Sequence, residues 1–79
     1  MDIYTFLRKE VNVAKITLEA ARVNSGLTQE QMAEKLGVSR SLVQGWETGK
    51  KEIRPAYVIA YAHITGFDVD DILLPVKYA

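Results

Sequence analysis

Residues 27–50 carry the clearest structural signal in the chain, and they read LTQEQMAEKLGVSRSLVQGWETGK. Apolar residues recur at helical spacing on both sides of Gly37, which is typical of two short amphipathic helices and not of alternating strands. Thr28 and Gln31 have the spacing of a capping box at the start of the first helix. Ser39 is a candidate N-cap for the second helix. Gly37 provides the bend between them, because glycine adopts positive φ without strain.

Glycines and prolines cut the chain into short segments. Apolar residues again recur at helical spacing, so we predict an all-α fold of five short helices, over residues 17–25, 28–36, 39–48, 56–65 and 69–73. Residues 1–16 are predicted to form a short helix or a helix followed by an extended arm, and residues 75–79 a tail. The sequence therefore predicts one compact domain over residues 17–74.

The composition excludes several classes of protein. The chain has 79 residues, no cysteine and one histidine, which excludes a disulfide-stapled fold, thiolate zinc sites and thiol catalysis. It contains no glycine-rich phosphate loop, nucleophile–base pair or metal-ligand cluster, so we expect no enzyme activity, no cofactor and no small-molecule substrate. No apolar run approaches the ~20 residues that span a bilayer, and the N-terminus lacks the order of a signal peptide. We therefore expect a cytoplasmic protein without membrane contact.

The charges are balanced in number but not in position. Ten basic and ten acidic side chains give a formal net charge of zero. Residues 37–56 nevertheless carry a net charge of +2, and residues 57–79 a net charge of −2. Because salt limits the reach of a charge to about 10 Å, a local basic face on a neutral domain can bind phosphate. The acidic residues 68, 70 and 71 are interpreted as helix-capping residues, since they lack the spacing of a calcium loop.

Two short helices joined by three or four residues with a glycine at the bend have the geometry of a helix-turn-helix. Residues 27–39 followed by residues 43–50 resemble the lambda-repressor-like, or Cro/repressor, helix-turn-helix family, and the similarity extends over roughly residues 17–73. The resemblance implies a helix-turn-helix unit at residues 29–48 within a five-helix domain. It also implies a transcription regulator, most often a repressor, that binds double-stranded DNA in a bacterial cell or phage-infected host. Such a regulator is expected to bind as a homodimer, on half-sites about 34 Å apart.

The resemblance assigns base contacts to the third helix, which lies in the DNA major groove in the family. The matching positions are Arg40, Ser41, Gln44 and Gly45. An arginine suits guanine and a glutamine suits adenine, whereas Gly45 departs from the family pattern because a side chain is usual there. The alternative is that these side chains form only a solvated helix face. Trp46 has the spacing of a core residue rather than of a base-stacking one.

The resemblance also assigns residues to the DNA backbone and to the interior. The matching positions for phosphate contacts are Thr28, Gln29, Thr48, Lys50, Lys51 and Arg54. Arg22 and Glu47 match a structural ion pair that fixes the orientation of the third helix. We expect this pair to be partly buried and to touch no base.

A different class of function stays open at this point. The chain is alternatively a protein-interaction module, such as an antitoxin of a toxin–antitoxin pair or a helix-turn-helix domain that has lost DNA binding. The zero net charge and Gly45 favour that alternative, whereas Arg40, Gln44 and Lys50 favour DNA. The candidate dimer surfaces are the N-terminal segment and the apolar tail formed by residues 72–76 with Tyr78. Burial of the tail within one chain is equally compatible with the sequence.

Overall fold

A computed structural model describes residues 15–75. These residues form four α-helices: α1 (Leu18–Asn24), α2 (Gln29–Leu36), α3 (Arg40–Thr48) and α4 (Pro55–Thr65). A short strand, β1 (Ile16–Thr17), precedes α1, and a 3-10 turn (Val69–Asp71) followed by a second strand, β2 (Ile72–Leu73), comes after α4. The predicted N-terminal helix or arm falls outside the described residues, apart from Lys15 and Ile16, and so do residues 76–79 of the predicted tail.

The prediction of a fifth α-helix over residues 69–73 is wrong. The Asp68 carboxylate accepts a hydrogen bond from the backbone N–H of Asp70 at 3.0 Å, and the Asp68 carbonyl accepts one from Asp71 at 2.9 Å. These bonds close a tight 3-10 turn instead of an α-helix. The chain then extends, and Ile72 pairs with Ile16 in a two-stranded parallel ladder. Residues 15–75 are therefore mostly helical, and their one small strand pair joins the segment before α1 to the segment after α4.

Helices α2 and α3 begin at the predicted caps, and α2 ends at the predicted glycine. Helix α4 begins at Pro55, one residue before its predicted start. Thr28 and Gln31 form a complete capping box, with the Gln31 N–H 3.0 Å from the Thr28 hydroxyl oxygen and the Thr28 N–H 2.9 Å from Gln31 Oε1. Ser39 caps α3 by accepting a hydrogen bond from the Leu42 N–H at 3.1 Å. Gly37 ends α2 in the left-handed conformation, at φ 71°. The turn between α2 and α3 thus has the predicted local chemistry.

The core lies between the four helices and holds α3 from its inner side. Its buried residues are Leu18, Met32, Ala33, Val43, Trp46, Ile53, Val58, Tyr61, Ala62 and Ile72. Trp46 is only 3% exposed, and its ring centroid lies 4.9 Å from that of Tyr57 on α4. Burial of each large apolar side chain contributes about 1.5–3 kcal/mol. The interpretation of Trp46 as a core residue is confirmed.

Two further features complete the fold. Pro75, the first residue of the predicted tail, lies against Gly49 at the end of α3, where an added Cβ would stand 3.0 Å from the Pro75 Cβ. None of the helices between residues 15 and 75 is long and apolar enough to cross a membrane.

Candidate nucleic-acid interface

The outer face of α3 presents three polar side chains to solvent. Arg40, Ser41 and Gln44 are exposed, while Val43 and Trp46 on the opposite face are buried. No acidic group within residues 15–75 forms an ion pair with Arg40. The three side chains offer a guanidinium fork, a hydroxyl and an amide, which together can donate to and accept from base edges.

Gly45 does not share the exposure of these three residues. It is buried, because the side chain of Lys51 lies across it: a Cβ added to Gly45 would stand 2.9 Å from Lys51 Cγ and 3.2 Å from Lys51 Cβ. The Lys51 backbone N–H also donates to the Gly45 carbonyl at 3.0 Å. The sequence places Gly45 on the outer face of α3, but the structure covers that position with a lysine from the following loop.

The start of α2 contains Thr28 and Gln29, the first two residues predicted to contact phosphate. Thr28 is exposed and its hydroxyl oxygen accepts the Gln31 N–H, so its hydroxyl hydrogen is free to donate. Gln29 is half-buried, and its side-chain amide donates to Glu47 Oε1 at 3.1 Å. The first N–H groups of a helix lack partners within the helix, and they carry the positive end of its dipole. This end of α2 therefore suits an anion.

The end of α3 and the loop after it contain the other predicted phosphate residues. Lys50, Lys51 and Arg54 are exposed, and none of them forms an ion pair with any residue from 15 to 75. Thr48 differs from them, because its hydroxyl donates to the Gln44 carbonyl at 2.9 Å. The loop thus carries three cations without an ion-pair partner among residues 15–75, together with the exposed carboxylate of Glu52, whereas the Thr48 proton is already used within the helix.

Behind this face, the carboxylate of Glu47 joins all four helices. Its side chain is 2% exposed. Arg22 of α1 donates twice to it, from Nε to Oε2 at 2.7 Å and from Nη2 to Oε1 at 3.1 Å. Gln29 of α2 donates to Oε1, and the Tyr61 hydroxyl of α4 donates to Oε2. Because Glu47 itself belongs to α3, these bonds fix the orientation of α3 against the rest of the domain.

The electrostatics of this cluster keep Glu47 ionised. Burial alone would raise the pKa of Glu47, but hydrogen bonds from Arg22, Tyr61 and Gln29 outweigh it, so this pKa lies below its usual value. The hydrogen bond to Glu47 raises the pKa of Arg22. Burial, followed by the hydrogen bond to Glu47, raises the pKa of Tyr61. The cluster is therefore a charged pair with neutral donors around it.

Three side-chain contacts in this region were not predicted from the sequence. Gln29 and Tyr61 both bind Glu47, and Lys51 covers Gly45. Tyr61 had a usable signal, since a hydroxyl in the middle of an apolar helix needs a buried partner. Gln29 had none, because its position at a helix start suits phosphate equally well. Among residues 15–75, no three His, Cys, Asp or Glu side chains are grouped so that they could hold a metal ion.

A helix-turn-helix family model matches residues 18–72, which is more than half of the chain. The protein therefore belongs to the lambda-repressor-like helix-turn-helix family. This is a family of DNA-binding regulators that are not, in general, enzymes. No curated protein and no solved structure matches the chain significantly.

Proposed function

We propose that the protein is a sequence-specific regulator of transcription that binds double-stranded DNA with α3 in the major groove. We further propose that it is a repressor of the bacterial or phage type, which acts by occupying a promoter. Residues 17–74 would form the DNA-binding domain, with the helix-turn-helix unit at residues 29–48. The observation that carries this proposal is the exposed polar face of α3, Arg40, Ser41 and Gln44, on a helix that the Glu47 cluster holds in place.

The base contacts follow from the chemistry of that face. The Arg40 guanidinium can donate twice to O6 and N7 of a guanine, and the Gln44 amide can pair with N6 and N7 of an adenine. Ser41 can donate or accept, so it discriminates less between bases. Gly45 has no side chain with which to contact a base. The side chains of α3 itself therefore contact fewer bases than a helix with a side chain at this position would.

The phosphate contacts come from both sides of α3. At the start of α2, the free hydroxyl hydrogen of Thr28 and the unpaired backbone N–H groups would bind one phosphate. In the loop after α3, Lys50 and Arg54 are exposed cations without an ion-pair partner in the described chain. Gln29 contributes through its backbone N–H, and Thr48 would have to turn its hydroxyl away from the Gln44 carbonyl. These contacts would position the protein without selecting a sequence.

We also propose that two copies of the chain bind one operator as a two-fold dimer. The support is an apolar groove between α4 and the segment that contains the 3-10 turn and β2, lined by Pro55, Val58, Ile59, Val69 and Leu74. Ile59 is 59% exposed and Leu74 is 45% exposed. Exposed apolar residues grouped in this way are typical of protein contact sites. In a two-fold dimer, the grooves of the two copies would pack against each other and both would be buried.

The experiment that tests the proposed function compares Arg40→Ala with Lys35→Ala, a loss of an equally exposed cation outside the proposed interface. Binding would be measured by fluorescence anisotropy on a duplex selected from a random pool and on an unrelated duplex. We expect Arg40→Ala to weaken specific binding ~10- to 100-fold and unrelated binding much less, with Lys35→Ala close to the original protein. Equal affinity of the original protein and Arg40→Ala for the selected duplex would contradict the proposal. Failure of the folded protein to bind any duplex would favour the protein-interaction module.

A further inference from the structure

We infer that Lys51 replaces the side chain that α3 lacks at Gly45 and that its ammonium group contacts a base edge in the major groove, not a phosphate. This inference rests on the proposed function, since it assumes that α3 enters the groove of duplex DNA. It changes the expected role of Lys51 from a residue that positions the protein to one that determines its sequence preference.

A side chain at position 45 and the stem of Lys51 would occupy the same space. A Cβ added to Gly45 would lie 2.9, 3.1 and 3.2 Å from Cγ, Cδ and Cβ of Lys51. Separations this short leave no room for both groups, because carbon atoms in contact prefer about 3.5–4.0 Å. A side chain at position 45 and the present path of the Lys51 stem therefore exclude one another. Glycine mid-helix costs about 1 kcal/mol relative to alanine, and here it provides the space that the lysine fills.

The backbone of the loop after α3 holds Lys51 beside Gly45. Gly49 ends α3 at φ 80° and turns the chain back toward the helix. The Lys51 N–H then donates to the Gly45 carbonyl at 3.0 Å. The backbone bond and the packed stem together restrict the side chain before any DNA is present. Restricting a long side chain in advance reduces the conformational entropy that it loses on binding.

Position 45 lies beside the proposed base-contacting residues of α3. Residue 45 follows Gln44 and lies one helical turn after Ser41, so the two neighbouring positions are proposed base contacts. The Lys51 stem lies against Gly45 beside them, although Lys51, like Lys50, belongs to the loop after α3. Lys51 is exposed and has no ion-pair partner within residues 15–75. A lysine ammonium presented on this face suits O6 and N7 of a guanine.

The test compares Lys51→Met with Lys50→Met, a matched loss of a neighbouring cation. Methionine keeps much of the apolar stem but removes the charge. Affinities would be measured by anisotropy on the selected duplex and on variants with every base substituted in turn. We expect Lys51→Met to lose ~10- to 100-fold per half-site and to become indifferent to one base pair. Lys50→Met should weaken all duplexes alike and reduce the slope of log affinity against log salt by about 1.

A second variant, Gly45→Ala, keeps the lysine and removes the space for it. We expect Gly45→Ala to lose preference at the same base pair, and the double variant Gly45→Ala/Lys51→Met to lose little more than either single one. Circular dichroism and the fluorescence of Trp46 would confirm that each variant folds. Unchanged base preference in Gly45→Ala, or uniform weakening by Lys51→Met, would overturn the inference. If Arg40→Ala relaxes the selected site while Lys51→Met does not, the inference fails alone; if the original protein selects no duplex, the proposed function fails with it.

Discussion

The buried carboxylate of Glu47 ties α3 to each of the other three helices. Replacing Glu47 with alanine removes the buried carboxylate that Arg22 binds at 2.7 Å, and leaves the guanidinium, whose side chain is 9% exposed, with only the exposed carboxylate of Glu19 at 3.9 Å. Breaking a buried pair on one side costs about 3–5 kcal/mol. We therefore expect Glu47→Ala to lower the free energy of unfolding by about that amount, measured by urea denaturation with Trp46 fluorescence as the signal.

The matched control is Glu34→Ala, which removes an exposed carboxylate from α2. Surface substitutions of this kind change stability by no more than about 0.5 kcal/mol. A loss below about 1 kcal/mol in Glu47→Ala would contradict the structural role of the cluster.

The same carboxylate makes stability depend on pH in a definite direction. The pKa of Glu47 is lowered in the folded protein, while in the unfolded chain it is about 4.3. Between these two values the unfolded chain binds the proton and the folded protein does not, so stability falls as pH decreases. We expect the contribution to be fully present above about pH 4.3 and to be lost at lower pH.

The measurement is urea denaturation from pH 7 to pH 3, in the original protein and in Glu47→Gln. Other carboxylates act in both proteins, so the difference between the two curves isolates this group. The difference should shrink as the solution becomes more acidic. Parallel curves over the whole range would show that Glu47 titrates alike in both states.

At the residue scale, the sequence identified residues of the candidate site, but it predicted only some of their contacts. Arg22 and Glu47 were expected to pair, and the structure brings them together at 2.7 Å. Gln29 was expected only at a phosphate, yet its amide also binds Glu47. Lys51 lies across Gly45 because the loop after α3 folds back onto the helix. The periodicity of the local sequence does not predict such a tertiary contact.

Among the elements, the turn between α2 and α3 depends on the backbone of Gly37. Its φ is 71°, and an added Cβ would meet no atom within 4 Å. Only backbone strain therefore opposes a side chain, at about 1–2 kcal/mol for an ordinary residue. We expect Gly37→Ala to lower the free energy of unfolding by that amount.

Gly37→Asn provides the comparison, because asparagine enters the left-handed region more readily than alanine. The decrease in the free energy of unfolding, measured by urea denaturation, should be smaller for Gly37→Asn than for Gly37→Ala. Equal losses, or none in the alanine variant, would contradict the account of the turn.

The sequence predicted the four helices from their caps and glycine stops, but not the strand pair. Ser39, Thr28 and Gly37 act on neighbouring backbone groups, so their effects are visible locally. Ile16 and Ile72 pair across nearly the whole domain. Two-residue strands show no alternation, so the segment at residues 69–73 was predicted as a helix. Of the three acidic residues expected to cap a helix, only Asp68 caps, and it caps a 3-10 turn, whereas Asp70 and Asp71 lie within that turn.

The proposed dimer makes a prediction for the whole molecule. Ile59→Asp places a charge in the apolar groove at a residue that is already 59% exposed, so the monomer should still fold. We expect the variant to sediment as a monomer at concentrations where the original protein sediments as a dimer. Its affinity for a complete operator should fall, while its affinity for one half-site stays the same.

Val23→Asp is the matched control, because Val23 is equally exposed but is not among the residues that line the groove. A dimer that persists in Ile59→Asp would place the contact elsewhere, such as the N-terminal segment.

At the scale of the whole chain, the formal net charge does not describe the charge beside α3, whereas the distribution of the charged residues does. The formal sum is zero, yet Lys50, Lys51 and Arg54 stand exposed beside α3 without ion-pair partners among residues 15–75. The sum conceals this because residues 37–56 keep a net charge of +2 even with Glu47 and Glu52 counted, and Asp68, Asp70 and Asp71 offset it from another segment.

Selection of bound duplexes from a random DNA pool at near-physiological salt tests the central claim most directly. If α3 contacts bases in a two-fold dimer, the protein should enrich one inverted repeat with half-sites about 34 Å apart. Arg40→Ala should relax that sequence preference. A folded protein that enriches no duplex would contradict sequence-specific DNA binding and favour a protein as its partner.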